Sequence, residues 1–306
     1  MRPIEVLARG YLDAQQTRIG LEGRIRKLLE SWLPHRTETI EETGRKPHTK
    51  HHILCPTCES DLEIDIEQEN MTCKKNPEHK FQISNLLDSL NLNVQDKEIY
   101  RTLLTYRSRL KNEELAMLQD AKNIIQGNDI FDYCESVKGL GTVAALTFLG
   151  YIDPAKCCRP DSKVVSAGHM FAYLGLVPGA KLRAGKQGGF NPVLKGRFWV
   201  IGRNVIMAKD PYYTQLYKSK KEYYANRPDI AAKKDTERGW KGHVDNMAKR
   251  YMLKLIISHA LEVISLSEGY DISNLHSHRG YIPPPPYKGI RVPEENKKTK
   301  KRKKVA

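Results

Sequence analysis

The spacing of apolar positions predicts two long helices early in the chain and a series of shorter ones later. Ile4, Leu7, Tyr11, Ala14, Leu21, Ile25, Leu28 and Trp32 recur at alternating intervals of three and four, and Arg18 takes the one remaining seam position. That is an amphipathic helix of about four heptads, ended by Pro34. The charge at Arg18 weakens the seam locally, although a long arginine can reach solvent. Leu103, Leu110, Met117 and Ile124 then recur every seven residues, with Tyr106 and Ala121 beside them. They predict a second long helix over about residues 95–126, closed by Gly127 and Asn128. The two seams suit an antiparallel helical hairpin. A dimeric coiled coil through the same faces is the open alternative, so a homo-oligomer through the long helices is one expected assembly.

After residue 130 the pattern predicts helices over 130–135, 142–149, 161–174, 193–208, 210–225 and 243–265, with the 161–174 helix capped near Asp161 or Ser162. On the last helix Val244, Met247, Tyr251, Leu255 and His259 share one face. Strand signal is slight and lies between the long helices, where Leu62, Ile64 and Ile66 alternate with acids. The tail holds four consecutive prolines and then a lysine run, which predict an extended and then a disordered segment.

The same inter-helix region holds candidate chemistry. Cys55-Pro-Thr-Cys58 is followed after fourteen residues by Cys73 and after five more by His79. A C-x2-C knuckle, a short hairpin and a second ligand pair form a zinc ribbon, since tetrahedral zinc takes four thiolate or imidazole ligands. His79 is the best-placed fourth ligand, and His51 or His52 could replace it. A closed four-ligand site is structural. The fold class expected is therefore mainly α: a long helical hairpin with an inserted small zinc ribbon, followed by an all-helical domain. The segments are 1–50 (first long helix), 51–82 (ribbon), 83–129 (second long helix), 130–270 (helical domain) and 271–306 (tail).

Charge changes the picture further. The chain carries a formal +15, and residues 297–306 alone supply seven positive charges and no acid, which leaves +8 on the body. Such a balance favours a polyanion, with nucleic acid first and an anionic membrane surface second. No apolar run approaches the roughly 20 residues that span a bilayer, and no signal-peptide core opens the chain. Six cysteines are too few for a disulfide scaffold. A cytoplasmic protein without a membrane partner is expected.

Two stretches fit DNA. Val137-Lys138-Gly139-Leu140-Gly141-Thr142, followed by small helix formers, has the hydrophobic-x-Gly-hydrophobic-Gly pattern of a helix-hairpin-helix. Its glycines permit tight backbone turns, and the amides that open the next helix can hold a phosphate. Residues 179–209 contain Lys181, Arg183, Lys186, Lys195, Arg197, Arg203 and Lys209 and no acid, a composition suited to phosphate neutralisation. Phe198 and Trp199 are expected as core residues of that helix. The glycine-rich phrase around Lys186 departs from a phosphate-binding loop, with five residues between its glycines and Gln187 where Ser or Thr belongs. No paired-carboxylate or Ser-His-Asp arrangement stands out, and His169 is expected as a packed helix residue.

From Val137 to Gly189 the chain resembles the C-terminal domain of the insertion-sequence 110/116/902 type transposases. The resemblance rests on Lys138-Gly139-Leu140-Gly141 with Ala144 and Ala145, then Ser166-Ala167, then Phe171-Ala172-Tyr173-Leu174-Gly175-Leu176 and Pro178. Residues 210–224 and 243–259 also resemble a shorter prokaryotic or archaeal branch of that family. The resemblance implies a helix-hairpin-helix domain that binds DNA in transposition or recombination, at the nucleoid. Two departures argue against strand cleavage by this chain alone. Residues 1–130 do not resemble the family's nuclease-like domain with its four magnesium-binding acids, and Ala184 stands about where its nucleophilic serine belongs. A transposase completed by another subunit's acids, and an RNA-binding or scaffold protein using the same basic surface, are the alternative expectations.

Overall fold

A computed structural model describes residues 3–40, 48–90, 92–158, 162–177, 180, 189–232, 234, 240–276 and 284–285. The described residues are mostly helical, with two small antiparallel sheets. They form two compact units, Gly10–Met117 and Met1–Arg9 with Leu118–Ala306.

In the Gly10–Met117 unit, helix α1 (Pro3–Trp32) stops before Pro34 and leads into an antiparallel pair, β1 (His35–Ile40) and β2 (His48–Ile53). Segment 1–50, expected as the first long helix, is thus helical only to Trp32. Strands β3 (Leu62–Asp65), β4 (Asn70–Cys73) and β5 (Lys80–Gln82) form a second antiparallel sheet in that order. Helix α2 (Ile83–Ser89) ends before α3 (Val94–Ile125) begins, so segment 83–129 holds two helices before residue 126. Leu21, Ile25, Leu29, Met71 and Ile83 build the core between helix and sheet.

The buried face of α1 follows Ala8, Tyr11, Leu12, Leu21, Ile25 and Leu29, and Ile125 replaces the exposed Ile124 on α3. A straight helix has 3.6 residues per turn, so a strict seven-residue pattern drifts off the core side along its length. Midway, the seam is ionic. Arg18 Nε donates to Glu114 Oε2 at 2.7 Å, Arg18 Nη1 to Glu22 Oε1 at 2.8 Å, and Arg107 Nε to Glu22 Oε1 at 2.9 Å. Arg18 therefore does not run out to solvent; carboxylates from both helices hold it. The order of these contacts makes α1 and α3 antiparallel within the chain.

The second unit gathers α4 (Asp129–Ser136), α5 (Thr142–Tyr151), α6 (Pro154–Cys157), α7 (Ala167–Tyr173), α8 (Pro192–Met207), α9 (Pro211–Ala225), α10 (Pro228–Ala231), α11 (Trp240–Ser267) and α12 (Ser273–His276). Asn128, Asp153, Ser166, Asn191 and Asp210 accept backbone N–H bonds at helix starts, and prolines open α6, α8, α9 and α10. Helix α7 starts six residues later than its pattern suggests. Val164 and Val165 before it are extended, bridging Asp271 and Cys158, and Ser166 is its cap; Asp161 lies outside the described residues. Helix α11 is buried almost all round from Ile256 to Ser265, as a central helix must be, while Met247, Tyr251 and Leu255 are half-buried rather than on its core face. Near the chain start, Ala8 meets Gly150 of α5 so closely that a Cβ on Gly150 would lie 2.6 Å from that of Ala8.

Candidate functional site

Cys55, Cys58, Cys73 and His79 come together although they span three turns of chain. Glu59, in the left-handed region at φ 56°, lets the chain reverse after Cys58, and the Cys55 N–H donates to Ser60 O at 2.8 Å. Cys73 ends β4, and its N–H donates to His79 O at 3.0 Å, which folds the last ligand back. The four ligand atoms lie within 4.8 Å of one another. Cys58 Sγ and Cys73 Sγ are 3.5 Å apart, and Cys55 Sγ and His79 Nδ1 are 3.6 Å apart. A tetrahedral ion with bonds of about 2.3 Å to sulfur and about 2.1 Å to nitrogen needs ligand separations of roughly 3.6–3.8 Å. The cluster can hold a metal ion and suits zinc. The backbone N–H and hydroxyl of Ser60 hold the Cys58 thiol down at about 6, which favours the thiolate a metal takes. The Asn76 side-chain amide lies 3.3 Å from His79 Nε2 and orients the ring from its far side. His51 and His52 do not converge here: His52 Nδ1 sits 2.9 Å from Asp61, and His51 stacks edge-on against His35.

The turn Val137–Gly141 joins α4 to α5. Gly139 has φ 91°, and a Cβ there would lie 2.5 Å from Asn204 O and 2.8 Å from Val205 Cα. The turn is therefore pressed against the backbone of α8, which a side chain would prevent. Buried Asp210 locks it from below: Oδ2 accepts from Lys138 N at 3.1 Å, and Oδ1 from Tyr212 N and Tyr213 N at 3.0 and 2.8 Å. The Leu140 N–H donates to Val137 O at 3.1 Å. The main-chain donors expected across Lys138–Gly141 are thus reduced, because those of Lys138 and Leu140 are spent inside the fold. Gly141 is extended, open and gives α5 no side-chain cap, which leaves Thr142 and Val143 without an intrahelical acceptor.

The basic stretch divides. Lys181, Arg183 and Lys186 lie outside the described residues. Arg203, exposed, stands beside the Gly139 contact on the last turns of α8, whereas Lys195 and Arg197 are half-buried. Arg197 does not share a stripe with the other two, since residues two and six apart diverge on a helix. Phe198 is a core residue packed on Phe148, and Trp199 is half-buried rather than core. His169 is exposed rather than packed and lines a cavity of about 380 Å³ with Arg9, Tyr151 and Cys157. Burial pushes the Cys157 thiol up to about 12, so it stays protonated there and is no nucleophile.

Sequence spacing did not single out Asp210, whose partner Lys138 lies 72 residues away, or Arg250 and Lys254 of α11. Asp-Pro at 210–211 was the available signal for the first, since it marks a capped helix start. No known protein family matches the chain, and no curated protein or solved structure matches it. No described helix is long and apolar enough to cross a membrane.

Proposed function

We propose that this chain binds DNA in a process of the transposition or recombination type, and that its Cys55–Cys58–Cys73–His79 cluster holds a structural Zn2+. The observation that carries the DNA reading is the uncapped start of α5. Gly141 gives that start no side-chain cap, Lys138 and Arg203 are exposed, and the chain carries a net charge of +15. Amides at a helix start attract a phosphate through their N–H groups and the helix dipole. Such a contact positions the backbone and reads no sequence. The turn would form the hairpin of a helix-hairpin-helix, with α4 and α5 as its helices. The absent serine at position 184 argues that the chain does not cut DNA by itself.

Gly141→Glu tests this reading. A Cβ there meets nothing within 4 Å and the backbone is extended, so the variant folds. Its carboxylate would occupy the anion site. Duplex affinity at low salt is expected to fall about tenfold. Unchanged affinity in the folded variant would remove α5 from the interface, and stronger binding of structured RNA than of duplex would favour an RNA partner.

A further inference from the structure

Several described cations meet a carboxylate: Arg18 and Arg107 in the α1–α3 seam, Lys221 and Lys249 at Asp245. One group does not. Lys195 of α8 and Arg250 and Lys254 of α11 stand together without a paired carboxylate among the described residues. Burial first, and Arg250 second, lower the affinity of both lysines for their protons, which places the three within electrostatic reach. The buried Nε of Arg250 has no hydrogen-bond partner. The lysines rest on rings instead: Lys195 Nζ is 4.6 Å from the Phe190 centroid and Lys254 Nζ is 5.1 Å from that of Phe171. Lys195 also lines an open cleft of about 420 Å³ together with Ala180, Phe190, Pro192, Gly196 and Trp199.

Three adjacent, half-buried cations repel one another unless an anion joins them. A cleft lined by two aromatic residues takes a flat ring by stacking. A flat ring carried beside a chain of anions is a nucleotide within a strand. We propose that the Phe190–Trp199 cleft seats an unpaired base of a nucleic-acid strand whose phosphates lie on Lys195, Arg250 and Lys254. This rests on the nucleic-acid reading above and deepens it: an intact duplex keeps its bases stacked and cannot supply one, so the cleft takes single-stranded or unpaired segments.

The experiment uses the full chain with Trp32→Phe and Trp240→Phe, which leaves Trp199 as the one tryptophan of three. Its emission is followed during titration with a short oligothymidylate, a duplex of the same length, and thymidine monophosphate. The oligothymidylate quenches Trp199 and the duplex does not. In Lys195→Gln/Lys254→Gln the midpoint rises about tenfold, and the slope of log affinity against log salt falls by about 1.4, as expected for two single-strand phosphates. Gly141→Glu weakens duplex binding and leaves the quench in place. Oligothymidylate binding with a silent Trp199, or an unchanged midpoint in the lysine double variant, overturns the proposal. Equal quenching by the monophosphate overturns the assignment to a strand. A silent Trp199 alongside duplex binding that Gly141→Glu weakens defeats the cleft alone, whereas no binding of any nucleic acid defeats both readings.

Discussion

Replacing Gly139 by alanine adds one carbon at the point where the Val137–Gly141 turn touches α8. Two costs combine. At φ 91° an L-residue is strained, by about 1–2 kcal/mol. The new Cβ would also lie 2.5–2.8 Å from Asn204 O, Asn204 C and Val205 Cα, all backbone atoms that no rotamer change can move. Overpacking of this kind costs about 1–3 kcal/mol. The stiffer unfolded chain returns about 0.4–1 kcal/mol. The net loss is roughly 2–4 kcal/mol, a large share of the 5–15 kcal/mol that holds a typical domain. Urea melts followed by tryptophan emission in a Trp32→Phe background read this unit alone, since Trp199 and Trp240 both lie in it. Gly141→Ala is the internal control: its backbone is extended and its surroundings are open, so it costs at most about 1 kcal/mol. If Gly139→Ala melts within about 0.5 kcal/mol of that control, the close approach of turn and helix is wrong.

Three further outcomes are expected. Glu114→Leu leaves Arg18 with Glu22 as its one carboxylate and destabilises the Gly10–Met117 unit by about 1–2 kcal/mol, while Arg18→Leu/Glu114→Leu recovers most of it; a double variant no better than the single refutes the ionic seam. Metal analysis of the intact chain finds one zinc, Cys73→Ser loses it, and hydrogen exchange then loosens residues 53–82; equal zinc in both proteins rejects the ligand set. Burial pushes the Asp245 carboxyl up, but hydrogen bonds from Lys249, Tyr217 and Lys221 outweigh it and hold it at about 2. Its folded value lies below the unfolded one, so the stabilisation is present above about pH 4 and fades as pH falls toward 2. Asp245→Asn therefore lowers the unfolding free energy from urea melts at pH 7 slightly, by under about 1 kcal/mol, and narrows the gap to wild type at pH 3; a gap that is the same at both pH values refutes the assignment.

The parts of this molecule written in short-range spacing were legible. Cys55, Cys58, Cys73 and His79 announce themselves because a C-x2-C knuckle with a second ligand pair is a local geometry. Spacing makes His79 the best-placed fourth ligand, and the alternatives His51 and His52 fall away because His35 and Asp61 engage those two rings. The β1–β2 pair escaped notice because its histidines, threonines and charges alternate without an apolar face to mark a strand. The heptad reading found both long helices and then missed by one residue at their ends, choosing Leu28 and Ile124 where Leu29 and Ile125 are buried, since straight helices do not keep a period of 3.5. The glycine turn was visible as a motif. What makes Gly139 irreplaceable, a helix backbone 65 residues further along, was not.

The contact of Ala8 with Gly150 has a consequence for synthesis. Ala8 leaves the ribosome about 140 residues before its partner Gly150. At 5–20 residues per second that interval is roughly 7–28 s. The part of α1 around Ala8 must wait through most of that time without its docking surface, and the contact closes only when Gly150 has been made.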